Sequence, residues 1–247
     1  MVSTSKIKIL LAIIAWNEED SIQKVIDGTK DLNFGVHAEH TVVVFNDSSN
    51  DRTQEISRKN DIEVVSHPFQ SGNGMFMIST YLQFAYENNF DIVIQVDGDN
   101  QHKAFYLPLI CDYLISTNSN IIVGSRYLER SRFKGFFKSI TNFDRLLGNY
   151  IISFALENFL KISISDPTSG MRAYDRKAII SLKDNSIETF DNLTFYCCVA
   201  NKELVLREFQ VDMMERGSGD SEFTLLKKLV YVPSLLFSII YTLVNRR

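Results

Sequence analysis

Five short apolar runs, spaced by helix-length segments and each followed by polar residues, constrain this fold more than any other feature. They lie at residues 7–14, 41–45, 62–65, 91–96 and 121–123 and are rich in Ile and Val. β-Branched side chains suit the extended backbone, and a run that is apolar without alternation is buried on both faces. The segments between them carry helical periodicity instead. Ile22, Val25 and Ile26 recur at helical spacing within residues 18–31, and Ile78, Leu82 and Ala85 do so after Gly72 and Gly74. Asp51 stands where it can cap a helix running towards Asn60. Strands alternating with helices build βαβ units, so the expected fold is α/β: a Rossmann-like, mostly parallel sheet flanked by helices. The second half is less regular, with a turn at 166–170, a helix at 192–200 and a strand at 204–211. No repeat or linker interrupts the chain. One domain over residues 1–221 is expected, with an apolar, basic C-terminal helical appendage over 222–247.

Ligands of such sheets bind beyond the carboxyl ends of the strands. Polar clusters stand at those places: Trp16-Asn17-Glu18-Glu19, Asn46-Asp47-Ser48-Ser49, Asp97 to His102, and Gly124-Ser125-Arg126. Asp97 and Asp99 straddle Gly98, which permits a tight backbone path. Two carboxylates leaving one strand end suit Mg²⁺ or Mn²⁺, hard cations held by a few carboxylates together with substrate phosphates. Such an ion neutralises a diphosphate leaving group. The competing reading is an acidic surface turn that caps the next helix. Convergence with the other polar strand ends favours the metal. The spaced ligands and terminal Glu of an EF-hand are missing.

Composition narrows the classes further. A net charge of -4 argues against a nucleic-acid partner, which needs a basic surface. The cysteines Cys111, Cys197 and Cys198 are odd in number, two of them adjacent, so a disulfide framework is not expected and a reducing cytoplasm fits. His37, His40, His67 and His102 show no zinc-ligand spacing. The first apolar run leads straight into a charged turn, as a buried strand does and a signal peptide does not.

In this order and spacing the motifs resemble the inverting family 2 glycosyltransferases of the GT-A fold. The dolichol-phosphate-mannose-synthase-like and bacterial surface-polysaccharide enzymes are the nearest groups. The resemblance runs from about residue 9 to 221. Ala15-Trp16-Asn17-Glu18-Glu19 is similar to the family's opening Pro-x-Tyr-Asn-Glu turn, which implies a nucleoside contact. Asn46-Asp47-Ser48-Ser49 resembles an Asp-Asp-Gly-Ser turn, which implies that Asp47 serves base and ribose; Asn46 and Ser48 depart from the pattern. Ser71-Gly72-Asn73-Gly74 matches a glycine-rich helix start whose N–H groups, Gly74 included, can face phosphate. A basic residue frequent near Asn73 in the family is absent. Asp97, Asp99 and Gln101 match the metal motif, with Asp97 and Gly98 also against the donor. Gly124-Ser125-Arg126-Tyr127 matches a Gly-Ser-Arg-Tyr signature, which places Arg126 on phosphate. Asp166-Pro167-Thr168-Ser169-Gly170-Met171-Arg172 matches the segment that lines the acceptor side, through Thr168, Ser169, Gly170 and Arg172. Glu215-Arg216-Gly217-Ser218-Gly219-Asp220-Ser221 resembles a late loop that closes over the diphosphate, which gives Arg216 a catalytic role. Glu222 stands where Lys or Ser is common.

The resemblance implies transfer from a nucleotide-diphosphate sugar, a UDP-sugar foremost, to a lipid-linked saccharide in cell-surface polysaccharide synthesis. The alternative acceptor is a polyprenyl phosphate. A sugar hydroxyl needs a carboxylate base, and the family takes it from the segment after the Thr-Ser-Gly turn. Here that is Asp191, preferred to Glu188, although Asp191 also suits a helix cap. A polyprenyl phosphate is already anionic and needs no base. A nucleotidyltransferase would carry a glycine-rich basic signature near its first strand, which Ala15 to Glu19 lacks. A non-catalytic nucleotide-sugar-binding protein is the other competing class, and the retained Asp97, Asp99, Arg126 and Arg216 argue against it.

Residues 229–244 are apolar apart from Pro233, Ser234, Ser238 and Thr242, with Lys227-Lys228 before and Arg246-Arg247 after. The run is shorter than the roughly 20 residues that span a bilayer. An in-plane helix on the cytoplasmic face of a membrane is expected; the alternative packs it on the domain or in a homo-oligomer interface. Arg126, Arg130, Arg132, Lys134, Lys138 and Arg145, interleaved with Phe133, Phe136 and Phe137, form a second patch. It is expected to touch a membrane surface or a lipid-diphosphate acceptor, or to be a solvated loop.

Overall fold

The computed structural model describes residues 6–71, 75–128, 143–184 and 192–214. Gly74, Glu188, Asp191, Arg216, the patch at 130–138 and the appendage at 222–247 lie outside the described residues. The elements run β1 (Ile7–Ala15), α1 (Ile22–Lys30), β2 (Ala38–Asn46), α2 (Thr53–Lys59), β3 (Glu63–Ser66), α3 (Met75–Glu87), β4 (Ile92–Asp97), α4 (Tyr106–Ser116) and β5 (Ile121–Ser125). Then come α5 (Phe143–Ala155), a π-helical turn (Leu156–Leu160), β6 (Arg172–Tyr174), α6 (Arg176–Leu182), α7 (Asn192–Asn201) and β7 (Leu206–Gln210).

The strands form one seven-stranded sheet in the order β3-β2-β1-β4-β6-β5-β7. All pairings are parallel except those of β6, which runs antiparallel to β4 and β5. The fold is therefore α/β with a mostly parallel sheet. Because β6 is reversed, it begins at the edge where β1, β2, β4 and β5 end. The turn before β6 thus joins the strand-end clusters.

The unbroken apolar runs follow from burial on both faces. Along β1, Leu10, Ala12 and Ile14 enter the core under α3, α6 and α7. Ile9, Leu11, Ile13 and Ala15 enter the core under α1 and α4. Side chains alternate across a strand, so a strand between two helical layers must be apolar at every position.

Local differences from the sequence reading have local causes. The helix expected over 18–31 runs from Ile22, after a turn in which the Ser21 N–H donates to the Glu18 carbonyl; the Ile22 N–H then makes the first helical bond to that same oxygen. Asp51 does cap α2: its Oδ1 accepts the Thr53 N–H at 2.9 Å. The half that read as less regular also holds α5, β6 and α6. All three cysteines are buried and free. Among the described residues no helix is long and apolar enough to cross a membrane.

Candidate active site

The ends of β1 and β2 are stitched into one surface. The Asp47 N–H donates to the Ala15 carbonyl at 2.9 Å, which continues the ladder past the strands. Beyond it the Asn17 N–H meets Ser49 Oγ (3.0 Å), the Glu18 N–H meets Thr53 Oγ1 (2.8 Å), and Asn17 Oδ1 accepts the Asn50 N–H (2.9 Å). Asn17 and Ser48 both take positive φ, 53° and 63°. That explains why a glycine suits the position of Ser48 in the family's turn. Asp47 itself is buried. Its Oδ1 accepts the N–H and the hydroxyl of Ser71, each at 2.7 Å, with His67 Nδ1 at 3.3 Å. It thus ties the end of β2 to the segment that leads into α3.

The acidic turn sits beside this surface. The Gly98 N–H donates to the Ile14 carbonyl at 2.8 Å, and a Cβ at Gly98 would lie 3.0 Å from that oxygen. Glycine thus lets β4 leave the sheet this close to β1 without crowding the Ile14 carbonyl. The Gly98 carbonyl accepts the Ser21 hydroxyl. The Asp99 carboxylate accepts the Gln101 N–H at 3.0 Å, and Asn100 takes the left-handed conformation (φ 59°). His102, which sequence reasoning passed over, braces the turn from beneath. Its Nδ1 accepts the Asp97 N–H at 3.1 Å. Burial pushes its pKa down to about 4 against the pull of Asp99, so the ring is neutral at physiological pH. Gln101 is also anchored: its carbonyl accepts the Met214 N–H and its Nε2 donates to the Met214 carbonyl. The chain leading to Arg216 therefore departs from the acidic turn.

Residues 165–170 face the same turn. Gly170 abuts Asp97 so closely that an added Cβ would collide with its carboxylate. Asp166 has no exposed surface and receives Arg126 in a two-pronged ion pair, Nε to Oδ2 at 2.6 Å and Nη2 to Oδ1 at 2.7 Å. Arg126 Nη2 also donates to Thr168 Oγ1 at 3.0 Å. Burial works against the Arg126 charge, but the hydrogen bond and charge of Asp166 outweigh it and raise its pKa. Arg126 is thus a cation fixed by the acceptor-side turn. Two unforeseen residues build that turn. Glu208 on β7 accepts the N–H groups of Ser165 (2.8 Å) and Asp166 (3.0 Å). Asn149 on α5 bonds Asp166 and Thr168. Neither lies in a motif, so only a search for residues that contact the turn finds them.

Arg172 does not face solvent. It is 1% exposed, with its guanidinium 4.5 Å over the Phe195 ring and 5.9 Å over that of Tyr196. Tyr196 in turn donates to the Pro167 carbonyl at 2.9 Å. Arg172 supports the turn from below, beside Ser169, which is also buried.

Asp97 and Asp99 are hard oxygen donors of the kind that Mg²⁺ and Mn²⁺ take, and glycine at 170 keeps the space beside Asp97 free of a side chain. Among the described residues no group of three or more His, Cys, Asp or Glu gathers to hold a metal alone.

Comparison with known proteins agrees with this arrangement. A family model described as glycosyl transferase family 2 matches residues 11–182. The UDP-N-acetylglucosamine–dolichyl-phosphate N-acetylglucosaminyltransferase of Methanococcus voltae is 27% identical over 195 residues, covering 71% of this chain and 72% of the relative. The dolichyl-phosphate hexose transferase of Haloferax volcanii is 31% identical over 173 residues, covering 68% of each. Among solved structures, glucosyl-3-phosphoglycerate synthase from Mycobacterium tuberculosis, in complex with Mn²⁺, UDP and glucosyl-3-phosphoglycerate, matches with a TM-score of 0.56 at 17% identity. That match covers 97% of this chain and 79% of the other. At such identity the likeness bears on the fold, which is GT-A. The family model spans most of the chain and its motifs share one sheet edge: this protein belongs to glycosyl transferase family 2 and is a glycosyltransferase.

Proposed function

We propose that the protein transfers a sugar, with inversion, from a nucleotide-diphosphate sugar, foremost a UDP-sugar, to a polyprenyl phosphate. The observation that carries this is the meeting, at one sheet edge, of the stitched 15–18 and 47–53 turns, the Asp97-Gly98-Asp99 turn and the Arg126–Asp166 cluster. The M. voltae and H. volcanii relatives, both named for dolichyl phosphate, support this acceptor over a lipid-linked saccharide.

Ala15, Trp16, Asn17 and Glu18 form the nucleoside side, shaped by Asp47, with Gly74 and the start of α3 towards the phosphates. Asp97 and Asp99, joined by Gln101, would hold Mg²⁺ or Mn²⁺, which supplies positive charge to the diphosphate when bound. The Mn²⁺ in the mycobacterial structure supports a divalent ion. Thr168 and Gly170 orient the acceptor, and the buried Ser169 braces their turn through the Met171 N–H. Arg126, paired with Asp166, fixes the acceptor-side turn, while Arg216, two residues after the Met214 anchored on Gln101, offsets phosphate charge.

An acceptor phosphate oxygen attacks the anomeric carbon opposite the diphosphate. The carbon–oxygen bond to the diphosphate breaks, and its electron pair leaves with the nucleoside diphosphate. No proton is removed, so Asp191 is not needed as a base; it would be if a sugar hydroxyl were the acceptor. Residues 1–221 form the catalytic domain, and 222–247 rest it on the cytoplasmic face of a membrane.

The test is turnover of UDP-, GDP- and dTDP-sugars with Mg²⁺ or Mn²⁺ and a short polyprenyl phosphate. Glycosyl phosphate product with at least one donor is expected, with about a hundredfold loss or more in Asp99→Ala. No turnover or binding of any donor would refute the reading, and full activity in Asp99→Ala would refute the metal assignment.

A further inference from the structure

We infer that Tyr106 and Asp212 are positioning residues for the metal site: through residues 212–214 they keep the Gln101 side chain in the one amide orientation that can serve a cation. The inference rests on the proposed role of Asp97, Asp99 and Gln101 in holding Mg²⁺ or Mn²⁺.

The chain leaving β7 runs back along the acidic turn and is tied down at each step. The Val211 N–H donates to the Ser125 carbonyl at 2.9 Å. The Asp212 N–H donates to the Tyr106 hydroxyl at 3.1 Å, and that hydroxyl donates to Asp212 Oδ2 at 3.3 Å. Met213 forms an antiparallel bridge with His102. The Met214 N–H donates to the Gln101 carbonyl at 2.9 Å, and Gln101 Nε2 donates to the Met214 carbonyl at 3.1 Å. The strap ascends through 212, 213 and 214 while its partners descend through 106, 102 and 101. Tyr106 is the first residue of α4, and its ring stands edge-on to that of Phe209 on β7, centroids 6.4 Å apart. Tyr106 therefore links helix to strap, and Gln101 links strap to acidic turn.

The bond to Met214 has a chemical consequence. A main-chain carbonyl only accepts, and of the two ends of a carboxamide only the NH₂ donates. With Nε2 given to Met214, a flip of the amide would set two oxygens against each other. The oxygen is thus the end left for a ligand. Mg²⁺ and Mn²⁺ take oxygen donors. Released from Met214, Gln101 would regain its rotamers and present either end, and reordering it on binding costs affinity.

Mn²⁺ uptake is read by electron paramagnetic resonance, from loss of the free-ion signal, with the full chain and whichever of UDP, GDP or dTDP it binds. Tyr106→Phe keeps the ring on Phe209 and deletes the hydroxyl. It should weaken Mn²⁺ binding about three- to tenfold, with metal-free nucleotide affinity and melting temperature unchanged. Gln101→Leu should weaken Mn²⁺ binding at least as much. Adding Tyr106→Phe to it should change nothing further, because both act through one amide. Asp212 is exposed, so Asp212→Ala should reproduce the loss if Tyr106→Phe folds poorly. Asp212→Asn, whose oxygen still accepts the hydroxyl, should bind like the wild type. Additive losses in the double variant would overturn the proposal, as would wild-type Mn²⁺ affinity in folded Tyr106→Phe. Equal losses of Mn²⁺ and metal-free nucleotide binding would also overturn it, since they mark a general structural defect. A wild type that takes up no Mn²⁺ with any of the nucleotides would refute the metal reading and this proposal together. Uptake that Asp99→Ala abolishes and Tyr106→Phe spares would retain the metal reading and reject the positioning role.

Discussion

Asp166 is a carboxylate without solvent, and Arg126 is the charge that makes its burial tolerable. Removing one partner of a buried pair leaves the other uncompensated, at about 3–5 kcal/mol. Asp166→Asn should therefore lower unfolding free energy by about 3 kcal/mol in denaturant titration; a change within error would mean that Arg126 finds water instead. Glu208 offers a pH test. Burial raises its carboxyl above the usual glutamate value, partly countered by the bonds from Ser165 and Asp166. The folded protein thus holds that proton more tightly than the unfolded chain does. The stability this confers is complete below the ordinary glutamate value and is lost as pH rises through the folded-state value. Glu208→Gln cannot titrate, so its melting temperature should decline less than that of the wild type over that window. Equally steep melting profiles would rule out Glu208 as the source.

At the scale of elements, α3 is bound to the sheet by a buried hydroxyl. Tyr81 Oη lies 2.8 Å from Gln95 Oε1 on β4 and 2.9 Å from the Tyr174 hydroxyl on β6. Burial raises the pKa of both tyrosines, which keeps them protonated and able to donate. Tyr81→Phe preserves the packing but leaves two buried polar groups short of a partner, so we expect a loss of about 1–3 kcal/mol. Calorimetric melting measures it, and an unaltered transition would show that the hydroxyl is dispensable. β6, the other end of this contact, is a three-residue strand. Its length gives no periodicity to read, and its first residue, Arg172, is by sequence the last of the Thr-Ser-Gly-Met-Arg motif.

For the molecule as a whole, the site exists because β6 enters the sheet backwards between β4 and β5. That reversal brings the acceptor-side turn to Asp97, with glycine alone fitting at the meeting point. Gly170→Ala should cut donor turnover about a hundredfold and cost about 1–3 kcal/mol, as overpacking does. Wild-type kinetics in that variant would mean that the two halves are less tightly apposed than described.

Strand and helix periodicity, the polar residues at strand ends and the ordered motifs were all local properties, and each was readable along the chain. They specified the two-sided parallel core, the acidic turn and the family. The partnerships were not readable. Arg126 could have faced a ligand directly, and Arg172 could have been exposed; the fold gave Arg126 to Asp166, 40 residues away, and sealed Arg172 against Phe195 and Tyr196. Glu208 and Asn149 carry no motif and acquire their role only by contact with residues 165–168. Local pattern sets which face of an element is apolar. Which distant charge compensates a buried carboxylate is decided only when the chain closes and desolvation makes every unmatched pairing costly.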